Sequence, residues 1–379
     1  MTTFGTIFSI LLVALATWYA ISLIVLLIGL FRIRCPVNDR LNFLTVVIAA
    51  HNEEKDITGC LKAIAAQDYP PNLYEVIIAD DRSTDGTHDI IEAFCRDHPN
   101  FYSVRIDPKE EDVVPKKTAL IKALRMARGD IFVSTDGDCI QPEGWLSSIN
   151  DCFGKDVGMV IGHTGYPKPK NLWAGIDAID YFSHRAMGTA FIGAGSAYTC
   201  TASNFAYRKE IFELVEEEFS QLKVRPAEDN YLLNYVHTQT LYSIAVATDP
   251  ESIVTTAGAG GFGEFLQQRF RWGAYGGNIV TAGVRLFFMP ALLFYVLLWA
   301  GILLSIFNTT LVPILIVSLG IKVLVDFLFM IKATSIFKSR YLLAWFLPGF
   351  VANLILTIPI MVKGNFFTFR WKGERYRLT

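Results

Sequence analysis

An excess of charge of either sign is the first thing this 379-residue chain lacks: 34 lysines and arginines stand against 36 aspartates and glutamates, a formal net charge of −2. So even a balance carries no basic signature, and nucleic acid is not expected as a partner. Cysteine is scarce too. The six, Cys35, Cys60, Cys95, Cys139, Cys152 and Cys200, show no Cys-x-x-Cys spacing and no pairing with histidine, so neither a zinc site nor a disulfide framework is suggested. Between Phe4 and Phe31 charge is missing altogether. That stretch exceeds the ~20 residues needed to cross a ~30 Å hydrocarbon core. No basic residue precedes it, which argues against a cleaved signal peptide.

Apolar residues make up 52% of the chain, unevenly spread. Phe287 to Met361 is almost as free of charge as the N-terminal run, whereas Arg32 to Arg271 has the composition of an ordinary cytosolic α/β protein. Membrane segments therefore bracket a globular domain. Arg32, Arg34 and Arg40 follow the first span, which places that domain on the cytoplasmic side of a plasma or inner membrane of bacterial type. Phe287–Phe307, Leu311–Ile331 and Tyr341–Val362 are each long enough to cross. Three crossings would put the basic tail Arg370–Arg377 outside, against its charge. Pro348-Gly349 and Pro359 accordingly mark the last segment as a candidate re-entrant or interfacial hairpin. Lys322 and Asp326 lie four apart inside the middle segment, where an isolated charge is expensive, and are expected to pair. The resulting division is a membrane helix over 1–34, a catalytic domain over 35–260, interfacial amphipathic helices over 261–286, C-terminal membrane segments over 287–363 and a basic tail over 364–379.

The globular part is organised around Arg128–Cys139. Strand-forming residues Ile131 to Ser134 deliver two carboxylates, Asp136 and Asp138, into a turn made tight by Gly137, an arrangement that suits Mg²⁺ or Mn²⁺. An exposed acidic turn is the plainer alternative. Leu44–Ala50 and Tyr74–Ala79 are continuous apolar runs of the kind found in strands buried on both faces of a parallel sheet. Returning helices are expected over Asp56–Gln67, Asp85–His98, Lys117–Arg128 and Pro142–Phe153, with strands over Tyr102–Ile106, Asp130–Thr135 and Val157–Ile161. Such alternation predicts a Rossmann-like open α/β sheet with its ligands at the carboxyl ends of the strands. His51-Asn52-Glu53, Asp80-Asp81 and Asp136–Asp138 each follow a strand and fall on that one edge. Asp85 reads equally well as a helix cap.

The ordered motifs Ala-Ala-His-Asn-Glu-Glu, Asp-Asp-Arg-Ser-Thr-Asp-Gly-Thr, Lys116-Lys-Thr-Ala-Leu, Asp136-Gly-Asp138, Glu228-Asp229 and Gln268-Arg-Phe-Arg-Trp272 resemble family 2 glycosyltransferases of GT-A fold. The last is similar to the QxxRW signature of their membrane-integrated branch, which includes polysaccharide synthases and ceramide glucosyltransferases. The resemblance implies a GT-A mixed-sheet domain between an N-terminal transmembrane helix and a C-terminal transmembrane bundle. It implies that Ala49, His51, Glu53 and Asp81 line the nucleotide site, with Asp81 on the uridine. Lys116 would lie near the diphosphate, Asp136 and Asp138 would hold the metal, and Asp229 would be the base. Gln268, Arg271 and Trp272 would sit at the donor diphosphate and the acceptor entrance. Ala49 and His51 stand where the family commonly has Pro and Tyr, and Pro115 and Ile121 where it has Gly and Asn.

Ser203, Asn204 and Glu228 are further candidates for acceptor contact, although ordinary turn chemistry explains the first two as well. Phe262–Trp272 reads as a helix at the membrane surface; generic interfacial arginines and a headgroup tryptophan would give the same composition. The function expected is inverting, metal-dependent transfer from a UDP-sugar to a hydroxyl of a membrane lipid. A processive polysaccharide synthase with a glycan acceptor is the alternative within the same chemistry. A nucleotide-binding transporter or scaffold without turnover is the alternative outside it.

Overall fold

The computed structural model describes residues 3–106, 115–221, 228–275, 282–366, 369–371 and 374–376. In chain order these form α1 (Thr3–Arg32), β1 (Leu44–Ala50), α2 (Ile57–Ala65), β2 (Tyr74–Asp80), α3 (Thr87–Asp97), β3 (Phe101–Arg105), α4 (Pro115–Met126), β4 (Ile131–Asp136), β5 (Cys139–Ile140) and α5 (Trp145–Asp151). There follow β6 (Val157–Ile161), β7 (Thr164–Gly165), α6 (Leu172–Gly193), β8 (Phe205–Arg208), α7 (Lys209–Gln221), α8 (Glu228–Gln239), β9 (Ser243–Val246) and β10 (Val254–Thr256). The remainder is α9 (Phe262–Tyr275), α10 (Ala282–Ser305), α11 (Val312–Ile336), α12 (Phe346–Phe366), β11 (Phe369–Trp371) and β12 (Glu374–Tyr376). The chain divides into two units. One comprises Arg34–Pro167 and Thr199–Ala257; the other comprises Met1–Ile33, Lys168–Tyr198 and Gly258–Thr379.

The first unit is built on a seven-stranded sheet of order β3-β2-β1-β4-β8-β6-β9. The first four strands are parallel, as the strand–helix alternation predicts. Then β8 enters antiparallel to both β4 and β6, so the sheet is mixed. Leu44, Val46 and Ile48 of β1 share one face with Val76 and Ile78 of β2 and with Ile131 and Val133 of β4, all fully buried among Ile57, Leu61 and Ile64 of α2 and Trp145 and Ile149 of α5. Each such aliphatic side chain contributes roughly 1.5–3 kcal/mol on leaving water. Register then fixes the functional edge. Ala50 stands opposite Asp80 and Ala49 opposite Asp136, so three adjacent strands end together and aim their following loops the same way. A second sheet, β5-β10-β7, closes over the residues that follow β4.

Against the sequence-based expectation, two cysteines do pair: Cys35 and Cys152 are joined across 117 residues. The reason lies in the path of the segment after Ile33. Asn38 N donates to Asp151 O at 2.9 Å and Asn38 Nδ2 to Asn150 O at 3.0 Å, which lays this segment along the end of α5, where Cys152 is the C-cap. The helix expected over Pro142–Phe153 is also shorter, because Pro142, Glu143 and Gly144 form a turn ahead of it.

The second unit is helical. Thr3–Arg32, Gly283–Ser305, Thr309–Ile336 and Arg340–Gly364 are each long and apolar enough to cross a membrane. The hairpin expected in the last of these does not form. Pro348 falls in the first turn of α12, where its missing N–H leaves no helical bond unmade, and Pro359 is accommodated inside a continuous helix. Gly29 of α1 and Gly193 of α6 let two backbones touch: a Cβ on Gly193 would lie 2.0 Å from Gly29 O. Between the apolar helices Lys322 pairs with Asp326 as expected, and Tyr19 Oη donates to the second carboxylate oxygen at 2.6 Å. The Lys322 ammonium also lies over the rings of Tyr19, Tyr295 and Phe350 at 5.1, 4.9 and 4.8 Å, drawing α1, α10, α11 and α12 onto one buried cation.

Candidate active site

The site in the sheet unit starts from two loops that hold each other. After β1, His51 Nδ1 lies 2.6 Å from the Asp81 carbonyl oxygen. Asn52 N donates to Ser83 Oγ at 3.0 Å, and Asn52 Oδ1 accepts from Thr84 N at 2.9 Å. Glu53 N donates to Thr87 Oγ1 at 2.8 Å. To make these bonds Asn52 takes φ of 56° and Arg82 takes φ of 57°, left-handed conformations that side chains other than glycine rarely adopt. Asp85, one residue before the Gly86 N-cap of α3, accepts from Thr87 N at 3.1 Å and Thr87 Oγ1 at 2.6 Å, and from Glu54 N of the first loop at 3.3 Å.

Asp80 is fully buried; one carboxylate oxygen accepts from Ser83 N and the other faces His88 Nδ1 at 3.2 Å and Arg105 Nε at 3.5 Å. It thereby shapes the loop from below. Asp81, 6% exposed, is the carboxylate that reaches the edge. Burial raises its pKa above the usual carboxylate range, and the Arg82 guanidinium at 3.1 Å offsets part of that rise.

Asp136 and Asp138 emerge from β4 beside these loops. Their carboxylates and the Cys139 thiol place ligand atoms within 4.8 Å of one another. The turn packs closely against α2 and the first loop: a Cβ on Gly137 would lie 3.1 Å from Ile57 Cδ1 and 3.5 Å from Glu53 Cγ. Two hard carboxylate donors, both half-buried and close together, fit Mg²⁺ or Mn²⁺. Burial, together with Asp136 and Asp138, pushes the pKa of the Cys139 thiol well up, and the thiol donates to Asp138 Oδ1 at 3.5 Å. Thr256 Oγ1 of β10 lies 3.4 Å from Asp138 Oδ2 and steadies that side chain from the opposite side.

Asp229 is buried at the first turn of α8, its Oδ1 accepting from Asn230 N at 2.8 Å. Asn230 Oδ1 in turn accepts from Cys200 N at 3.1 Å, which anchors the helix start to the stretch before β8. The side chains of Lys116 and Glu228 lie outside the described residues; the backbone of Lys116 is in the first turn of α4 and that of Glu228 opens α8.

Ser203 and Asn204 are not available to an acceptor. Asn204 is fully buried: its Oδ1 accepts from Trp145 Nε1 at 3.0 Å, and its Nδ2 donates to the carbonyls of His163 at 2.9 Å and Ser252 at 2.8 Å. Ser203 shares hydroxyl bonds with Thr164 and Thr201 in the same interior network. Their polarity serves buried partners where β8 begins: a ring N–H and two carbonyls for Asn204, two hydroxyls for Ser203.

In the helical unit, α9 carries Gln268, Arg271 and Trp272, each half-buried. Between them lies Arg269, which is 3% exposed, hydrogen-bonded to Gln268 and ion-paired at 2.8 Å with both Asp177 and Asp180 of α6. It is an interior residue, not one of the snorkelling arginines that the composition of an interfacial helix suggests.

Residues 45–215 match the family model described as glycosyl transferase family 2. The chain carries a family 2 glycosyltransferase domain. Its relatives include glycosyltransferase AglE of Haloferax volcanii, 27% identical over 62% of this chain and 74% of the relative. A dolichyl N-acetyl-α-D-glucosaminyl phosphate 3-β-D-2,3-diacetamido-2,3-dideoxy-β-D-glucuronosyltransferase of Methanococcus voltae is 38% identical over 24% of this chain and 28% of its own. Among solved structures, a mannosyltransferase from Pyrobaculum calidifontis in complex with GDP-Man and Mn²⁺ superposes with a TM-score of 0.56 at 18% identity, over 92% of this chain and 99% of that one. This likeness shows the fold, a GT-A-like mixed sheet.

For the glycosyltransferase, sequence reasoning found the carboxylates of the sheet edge, since each directly follows an apolar strand. It does not single out Asp177 and Asp180, and it reads Arg269 as an interfacial arginine. Two acids three residues apart on an amphipathic helix look like an ordinary solvated face. The available signal was the spacing: Asp177, Asp180 and Tyr181 fall on one side of α6.

Proposed function

We propose that this transferase moves one sugar from a UDP-sugar to a hydroxyl of a membrane lipid at the cytoplasmic face, with inversion at the anomeric carbon. The observation that carries the reading is the common edge on which Asp81, Asp136 and Asp138 converge, in a chain with four membrane-length helices. Asp81 accepts from an N–H of the base, and the crossed loops hold it in place. The lipid acceptor is supported by the Methanococcus relative, whose name gives it a dolichyl-phosphate-linked substrate.

In the reaction the acceptor oxygen forms a bond to the anomeric carbon as the bond from that carbon to the diphosphate breaks, and UDP departs. Asp229 takes the acceptor proton as the bond forms, which a buried carboxylate at a helix start can do only when the acceptor hydroxyl lies within hydrogen-bond reach. A divalent cation held by Asp136 and Asp138 would offset the charge gathering on the departing diphosphate. Lys116, which the family resemblance assigns to that diphosphate, would add a cation of the chain's own.

A processive synthase would need a closed ring of helices around its product, and the four membrane-length helices among the described residues are few for that in one chain. The test is product analysis. Purified protein in nanodiscs, given a panel of UDP-sugars and native lipids, is expected to yield singly glycosylated lipid by mass spectrometry. A ladder of oligosaccharides without that product would overturn the proposal in favour of the synthase.

A further inference from the structure

We propose that Arg269 is a positioning residue, setting the rotation of α9 through two carboxylates of α6 and so aiming Gln268 and Arg271; the proposal deepens the glycosyltransferase reading and rests on it for its kinetic arm. The contacts all lie within the helical unit. Arg269 Nε donates to Asp180 Oδ2 at 2.8 Å, and Nη2 donates to Asp177 Oδ1 at 2.8 Å and to the Asp177 carbonyl oxygen at 3.4 Å. Nη1 donates to Gln268 Oε1. The guanidinium carbon also lies over two rings of its own helix, Phe265 at 4.2 Å and Trp272 at 4.5 Å. Asp177 does double duty, accepting from Ala259 N at 2.8 Å and so tying down the chain just ahead of α9.

Helix geometry explains why one buried arginine controls the neighbours that the signature motif contains. Phe265, Arg269 and Trp272 are spaced as i, i+4 and i+7 and form a single stripe, the one that carries the ion pairs to α6. At about 100° per residue, Gln268 and Arg271 are only about 60° apart; Gln268 borders that stripe, about 40° from Trp272, and Arg271 is turned about 100° from it. A rigid fork held at two carboxylates fixes the rotational phase of α9, and the phase decides where the second pair points. Lysine has no such fork, since its single ammonium cannot meet both carboxylates in one plane while lying over two rings. Trp272 joins the two sets: it lies beneath the Arg269 guanidinium, lies 5.5 Å from the Arg185 guanidinium and meets the His184 ring edge-on. Burial lowers the His184 pKa, so that ring is a neutral neighbour and does not compete for the carboxylates.

The test compares Arg269→Lys with the double variant Asp177→Asn/Asp180→Asn, all as full-length protein in nanodiscs. Amide exchange over 262–275, measured by mass spectrometry without substrates, is expected to speed up by roughly tenfold in both variants, with the sheet unit unchanged. In the transfer assay kcat is expected to fall by about tenfold to a hundredfold in both, as misplacement by an ångström can produce. Combining the variants is expected to add little, because both remove one linkage. Unchanged exchange in α9 would overturn the proposal. So would a loss of kcat in Arg269→Lys that the α6 variant does not share, since Arg269 would then act on substrate directly. Should the wild-type protein transfer no sugar at all, the functional reading fails while the exchange experiment still decides this one.

Discussion

Replacing Lys322 by methionine isolates the energetics of the membrane-embedded cluster. The side chain is almost fully buried, and its removal leaves the Asp326 carboxylate with the Tyr19 hydroxyl as its partner among the described residues. Breaking one half of a buried pair costs about 3–5 kcal/mol, chiefly because the surviving charge is stranded. Loss of the aromatic contacts adds to this, since a desolvated cation over a ring is worth about 2 kcal/mol. Removing both charges, as in Lys322→Met/Asp326→Leu, abolishes the stranded carboxylate and recovers most of the pair's cost. The expected order of stability is therefore wild type, then the double variant, then Lys322→Met, with the single and double variants separated by roughly 2 kcal/mol or more. At about 2–4 °C per kcal/mol this corresponds to at least about 4 °C in a thermal melt. The melt would be followed by tryptophan fluorescence in detergent and repeated at two scan rates, because irreversible unfolding makes the midpoint rate-dependent. A double variant as unstable as Lys322→Met would refute the reasoning. It would show that the cluster stabilises through packing of the lysine stem and the rings, not through charge.

Four further outcomes follow from the sheet unit. Asp136→Ala and Asp138→Ala are each expected to abolish transfer, and excess chelator to do the same in the wild-type protein; full activity in chelator would remove the cation from the reaction. Asp229→Asn is expected to keep donor affinity, read by calorimetry with the nucleotide sugar, while turnover drops by about 10² or more; an equal loss of affinity would make it a binding residue. Asn204→Ala strands Trp145 Nε1 and two carbonyl groups, so a loss of about 2–4 kcal/mol is expected with an unchanged acceptor KM, which a role in acceptor contact would not allow. On a non-reducing gel after cleavage between residues 35 and 152, the two fragments are expected to migrate together and to separate on reduction, as the Cys35–Cys152 bond requires. Separation without reductant would mean that the pair is not formed in the purified protein.

Much of this architecture is written locally in the chain. Leu44–Ala50, Tyr74–Asp80 and Ile131–Asp136 are recognisable as interior parallel strands because nearly every position is apolar or β-branched, and the polar residues that follow them are thereby placed on one edge. Other features depend on partners distant in sequence. Phe205–Arg208 is four residues of no distinctive pattern, and only pairing with β4 and β6 makes it the strand that reverses the sheet. Cysteine spacing encodes no connectivity, so the link between Cys35 and Cys152 waits on the path of the intervening backbone. Ser203 and Asn204 read as turn residues or acceptor contacts until their buried partners are known. Arg269 was the hardest of all: its neighbours on the helix are aromatic, and the acids that bury it lie some ninety residues earlier.

If the proposed donor site is right, the two crossed loops after β1 and β2 have a consequence for how donor preference can change. Because Asn52 and Thr84 share one set of bonds, and Asn52 and Arg82 both sit in left-handed backbone, neither loop has an independent conformational repertoire. Their freedom is surrendered during folding, before any nucleotide arrives, so that the ligand meets a surface whose ordering is already complete. The same coupling ties their fates in variation: a substitution that reshapes one loop for a different base is felt by the other as a lost hydrogen bond or a released torsion. New specificity at this edge is then expected to come through paired changes, one in 51–54 and one in 81–87, with each single step less fit than either end point.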